Sequence, residues 1–142
     1  MIGDEAIQAG IISRIKSLAP YTSSFGSVDS GEVREWDWQG ENFVYPNLRV
    51  DLEDNAPYFD EQLRCTLQRV EFSVYIYSEQ RSSKECSQIK TNINNSLIGL
   101  GFTVNGVKYS DPRLIESIPA IRETERVWRG QLRYSTKVSN ST

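Results

Sequence analysis

The chain has 142 residues, a formal charge of −3, 38% hydrophobic and 11% aromatic residues, and no histidine. That length suits one domain with a core of its own, and the aromatic content excludes a disordered chain. No apolar run approaches the ~20 residues of a membrane helix, and without histidine there are no His-based triads, Cys–His dyads or ordinary zinc sites.

Asp4 and Glu5 follow Met1 where a secretory leader carries bases, so no leader is expected. From Asp4 to Leu18, Ile7, Ile11, Ile15 and Leu18 recur at helical spacing, with Asp4 as the expected N-cap and Pro20 closing the segment. Residues 20–42 are rich in loop signals, around a short edge strand near Val33. Three strands are expected next. Leu48, Val50 and Leu52 alternate with polar residues after Pro46. Leu63–Tyr77 changes parity near Gln68–Arg69, which predicts a β-bulge there. Val127–Val138 places Trp128, Leu132, Tyr134 and Val138 on one side. Between the last two, Ser83–Leu100 reads as a helix with a Ser82/Glu85 capping box and a stripe of Cys86, Ile89, Ile93, Leu97 and Leu100. Gly99 and Gly101 end it. Asn105–Gly106 predicts a two-residue hairpin, and Leu114–Ile121 is a further apolar stretch interrupted by Pro119.

The order of elements gives an α+β fold: an antiparallel (mixed) sheet with two α-helices packed on one face, as a single domain over residues 1–138 with a frayed tail at 139–142. Cys65 and Cys86 belong to no CxxC pair and are expected as reduced, buried thiols.

Charge is unevenly spread. Asp29–Glu61 holds ten acids against two arginines, a net −8, whereas the chain from Gln62 onward has twelve bases against seven acids, a net +5. Such a chain suits self-association or charged partners rather than general nucleic-acid binding. No catalytic signature survives inspection. Gly99-Leu-Gly-Phe102 matches a carboxylate-binding loop but reads better as a helix end. Counted from Asp51, the sixth position of an EF-hand loop is Ala56 and the twelfth Gln62, so that calcium motif fails. There is no Walker loop or GxGxxG. The protein is expected not to be an enzyme, with no catalytic, cofactor or metal residues.

An N-terminal helix, Tyr45-Pro-Asn-Leu-Arg-Val50, an acidic and aromatic loop, Val70-Glu-Phe-Ser-Val-Tyr-Ile-Tyr77, a Ser-capped helix and a closing Val127-Trp-Arg-Gly-Gln-Leu-Arg-Tyr134 follow one another over nearly the whole chain. This order resembles the tail terminator (tail completion) proteins of long-tailed bacteriophages. The resemblance implies a virion protein of the tail or neck, assembled in the host cytoplasm as a homohexameric ring. Such a ring caps the tail tube, stops its growth and meets the head connector, while DNA passes through the lumen without sequence-specific binding; no cofactor or membrane is involved. The alternatives are another head–tail connector (neck or head-closure) component, or a protein-binding adaptor domain. Partner contacts are expected in an acidic loop from Glu53 to Glu61 and at the adjoining strand end: Asp51, Glu53, Asp54, Tyr58, Phe59, Asp60 and Glu61, with the two aromatics as anchors. Subunit contacts are expected at Trp36, Trp38, Arg129 and Arg133.

Overall fold

A computed structural model describes residues 2–18, 33–35, 46–57 and 67–140. The chain runs α1 (Asp4–Lys16), β1 (Val33–Glu35), β2 (Asn47–Pro57), β3 (Gln68–Glu79), α2 (Lys84–Leu97), β4 (Phe102–Val104), β5 (Val107–Tyr109), β6 (Arg113–Arg122) and β7 (Val127–Asn140). The strands form one seven-stranded sheet in the order β1-β2-β3-β7-β5-β4. Strand β6 also pairs β7, alongside Trp128–Ser135, and β5 continues that edge beside Val138–Asn140. All pairings are antiparallel except β1–β2. The fold is thus α+β in a single domain, with the sheet mixed at its β1 edge.

Both helices cover one face. Period-2 alternation sends Val70, Phe72, Val74 and Ile76 of β3 and Leu132, Tyr134 and Val138 of β7 toward them, all essentially buried. Phe72 stacks on Tyr134 at 5.3 Å between ring centroids, and the Tyr134 hydroxyl donates to Asn94 Oδ1 of α2 at 2.8 Å. Ile7, Ile11, Ile12 and Ile15 bring α1 onto the same core. Burying each such side chain contributes about 1.5–3 kcal/mol. Gly10 lets α1 approach closely, because a Cβ there would meet the ring and hydroxyl of Tyr109, 2.8 Å from Cζ. That hydroxyl donates to the Ile7 carbonyl at 3.0 Å.

Several expectations are corrected. The N-cap of α1 is Gly3, not Asp4; the Asp4 carboxylate instead accepts from Asn55 Nδ2 at 2.6 Å. Helix α1 ends at Lys16 and α2 at Leu97, where Gly99 takes φ +104°. The Ser82/Glu85 capping box does not form: the N-cap is Ser83, with no side-chain bond, and the Ser82 hydroxyl lies 3.5 Å from the Lys84 amide. The predicted hairpin is present, with Asn105 at φ 50° and Gly106 at φ 78°. Strand β7 runs on through Ser139 and Asn140, which pair with Lys108 and Val107.

The bulge expected near Gln68–Arg69 is absent: β3 is continuous from Gln68 to Glu79, in unbroken register with β7, and residues 63–66 lie outside the described residues. A bulge is present instead in β2, where the register shifts between Leu52 and Asp54. A bulge lets two successive residues share a face. Glu53 and Asp54 therefore both join Asp51 on the face away from the helices, while Asn55 turns back toward α1, within 3.4 Å of the Ile2 carbonyl. Gln68, buried beside it, donates to Asn55 Oδ1 at 2.7 Å and brackets Ile2 with a donor and an acceptor. The bulge thus positions an acidic cluster and anchors the first helix together.

Candidate functional site

The face opposite the helices carries polar rows across β2, β3, β7 and β6. One row runs Asp51, Ser73, Arg133, Glu116; the next runs Arg49, Tyr75, Gln131, Ile118; a third runs Asn47, Tyr77, Arg129, Ile121. Arg133 sits at the centre of an ion-pair network. Its Nε is 3.2 Å from Glu53 Oε2 and its Nη2 is 2.8 Å from Glu71 Oε2. The Ser73 hydroxyl donates to the other oxygen of Glu53 and accepts from Gln131 Nε2 at 3.0 Å. Arg129 pairs with Glu123 at 2.9 Å and lies over the Tyr75 ring. Asp54 pairs with Arg69 at 3.4 Å.

Partial burial of Glu53 raises its carboxyl pKa above the usual value, and this outweighs the pull of Arg133. Asp51 and Glu71 push the same way. Burial also raises the phenols of Tyr75 and Tyr77, lifts Tyr109 to about 12, and moves the Cys86 thiol upward. Cys86 is reduced and buried, with its Sγ 3.4 Å from the Ile76 carbonyl.

These positions revise the acidic loop. Asp51, Glu53 and Asp54 lie within β2, which continues to Pro57, so Glu53 and Asp54 belong to a strand rather than a loop. Tyr58, Phe59, Asp60 and Glu61 fall outside the described residues, as do Trp36, Trp38 and Cys65. Arg129 and Arg133 share the face with Asp51, Glu53 and Asp54, and both arginines are ion-paired within their own chain. The acidic segment and the basic half therefore already meet inside one subunit.

A second surface lies along β6. Nearly all of it is exposed: Leu114 at 40%, Ile115 at 48% and Ile121 at 43%. Ile115 is the extra residue of a bulge, and a second irregularity spans Pro119. Lys90 of α2 ties the strand down, donating to the Ser117 hydroxyl and the Ile118 carbonyl, each at 3.0 Å. Among the described residues, β6 pairs with β7 alone. Apolar residues at both parities around a proline, at 114–121, signal an edge strand in sequence; their exposure follows only from the topology that leaves β6 outermost.

Little else suggests chemistry. A shallow groove of about 610 Å³ at the start of α2 sets Arg81, Lys84 and Arg126 against Glu79 and Glu85. Among the described residues, no group of three Cys, Asp or Glu is arranged to hold a metal ion, and no helix is long and apolar enough to cross a membrane.

No protein-family model and no curated protein matches the chain. Among solved structures, a chain in the virion of a native gene transfer agent particle superposes with a TM-score of 0.70, covering 93% of each chain at 12% sequence identity. The likeness is one of fold.

Proposed function

We propose that the chain is a virion structural protein without enzymatic activity, and specifically a tail terminator. On this reading it assembles as a hexameric ring on the finished tail tube, ends tube growth and offers a surface to the head connector. The observation that carries the reading is the end-to-end likeness of fold to a chain of a virion particle. Two features support it. The element order resembles the terminator family, and the domain presents a long, partly apolar edge strand, which suits building an assembly rather than a soluble catalyst. A ring needs a heterologous interface, in which one side of a subunit meets a different side of its neighbour.

Tail tubes polymerised with and without the purified protein test this by negative-stain imaging. The expected result is a ring at one end of each tube and shorter tubes as protein is added. Tubes that grow unchanged, with the protein found only on head connectors, would replace the terminator role by a neck role.

A further inference from the structure

We infer that the β6 edge is self-complementary, and that two copies of the free protein pair along it, antiparallel, about a two-fold axis. The inference goes beyond the terminator reading, because an isologous contact joins two copies and does not itself close a ring. The edge is exposed and apolar, with Leu114 at 40% and Ile115 at 48%, on a strand with no outer neighbour among the described residues. An edge of that kind is a template for another strand. Its charges select a second copy as the source of that strand. The exposed run reads Arg113-Leu114-Ile115-Glu116, a cation and an anion on either side of two apolar residues. Laid against itself in the opposite direction, it sets Arg113 opposite the partner's Glu116, and Leu114 opposite the partner's Ile115.

The bulge at Ile115 is what makes this register work. Residues three apart in a regular strand point to opposite faces. Here the extra residue shifts the alternation, so Arg113 stands beside Ser135 and Glu116 beside Arg133, both on the face away from the helices. The dimer thereby gains two cross-strand pairs of opposite charge on one face. The other cation of the strand, Arg122, stands beside Trp128 on the helix side. A register that set Arg122 opposite Glu116 would put the two charges on different faces. Registers centred on Arg113 or on Glu116 bring like charges together. Neighbouring charges leave the pairing undisturbed. Among the described residues, neither Arg113 nor Glu116 has an ion-pair partner, and the Arg133 beside Glu116 is held by Glu53 and Glu71. Asp111 accepts from the Gly99 amide at 2.7 Å, Glu123 pairs with Arg129 at 2.9 Å, and Arg122 Nε donates to the Thr124 carbonyl at 3.3 Å. Glu125 and Arg126 lie in the turn beyond Pro119, which withholds a backbone donor and bounds the paired stretch.

Charge reversal tests this by sedimentation velocity at low salt, with thermal melts to confirm that each variant is folded. The native protein is expected to sediment as a dimer that dissociates as salt screens the pairs. Arg113→Glu alone, or Glu116→Arg alone, is expected to sediment as a monomer, because each sets like charges opposite one another at both positions. Mixing the two variants is expected to restore the dimer, since every facing pair is then again of opposite sign. If a reversal variant does not fold, Arg113→Gln and Glu116→Gln take its place, with an expected shift toward monomer at equal concentration. A native protein that stays monomeric at every concentration, a reversal variant that dimerises as the native protein does, or a mixture that stays monomeric overturns the proposal.

Discussion

The two faces of the sheet are built from the same strands by the same alternation, yet they hold different kinds of interaction. On the helix-covered face, β3 and β7 contribute Phe72, Val74, Leu132 and Tyr134, all buried and apolar apart from one hydroxyl with a partner. On the opposite face the intervening residues are Glu71, Ser73, Gln131 and Arg133, half-buried except for the buried Ser73, and joined by hydrogen bonds and ion pairs. Hydrophobic burial on the first face supplies the stability. The second face offers small net energies, because partly exposed ion pairs contribute only about 0–1 kcal/mol each. It runs out to the β6 edge.

The comparison is broken most severely by a cavity on the covered face. Phe72→Ala is expected to destabilise by about 3–5 kcal/mol, seen as a lower denaturant midpoint; a loss below about 1 kcal/mol would mean that the covered face does not depend on the Phe72–Tyr134 packing. Gly10→Ala is expected to cost about 1–3 kcal/mol, because Tyr109, itself buried, cannot clear the new methyl group without losing its bond to Ile7. Unchanged stability in thermal melts would show that α1 moves freely over β5.

Changes on the opposite face should be smaller. Arg133→Met leaves Glu53 and Glu71 close together without their shared cation, and a loss of about 1 kcal/mol or less is expected at neutral pH. The loss should shrink in acid as Glu53, whose carboxyl pKa is raised by burial, takes up its proton. A penalty as large as that of Phe72→Ala would erase the distinction between the faces.

The pH dependence of Glu53 sharpens it further. Because the folded state raises this carboxyl pKa, folding favours its protonated form. The stability it contributes is complete below the ordinary carboxylate range and is lost as pH rises through the raised value. Glu53→Gln should flatten that part of the stability–pH profile measured by chemical denaturation; an identical profile would remove Glu53 as its source.

The strands, both helices and the hairpin were legible in sequence because their signals are local: alternation at Val70–Ile76, a helical stripe at Cys86–Leu97, and Asn105–Gly106 at the turn. The bulge expected near Gln68–Arg69 is not there, and the one present was missed: it lies in β2, where Leu52 and Asn55 share the helix-covered face across the extra residue Glu53, and the charged run Glu53–Asp54 reads in sequence as the end of a strand. The Ser82/Glu85 box failed because helix α2 begins one residue later, at Lys84. The ion pairs of Arg133 were hidden for another reason. They join residues 80 and 62 positions apart, through register between strands that are distant in sequence. Of the expected site residues, the structure gathers Asp51, Glu53, Asp54, Arg129 and Arg133 on one face.

The central claim is that one face carries the fold and the β6 edge carries assembly. Sedimentation velocity of the native protein beside the double variant Ile115→Glu, Ile121→Glu, with thermal melts of both, tests it most directly. The account predicts an oligomer that weakens as salt screens its charges, a variant that sediments as a monomer, and melting that stays within about 0.5 kcal/mol of native, as for exposed substitutions. A variant that assembles like the native protein, or one that loses its fold along with its assembly, would contradict it.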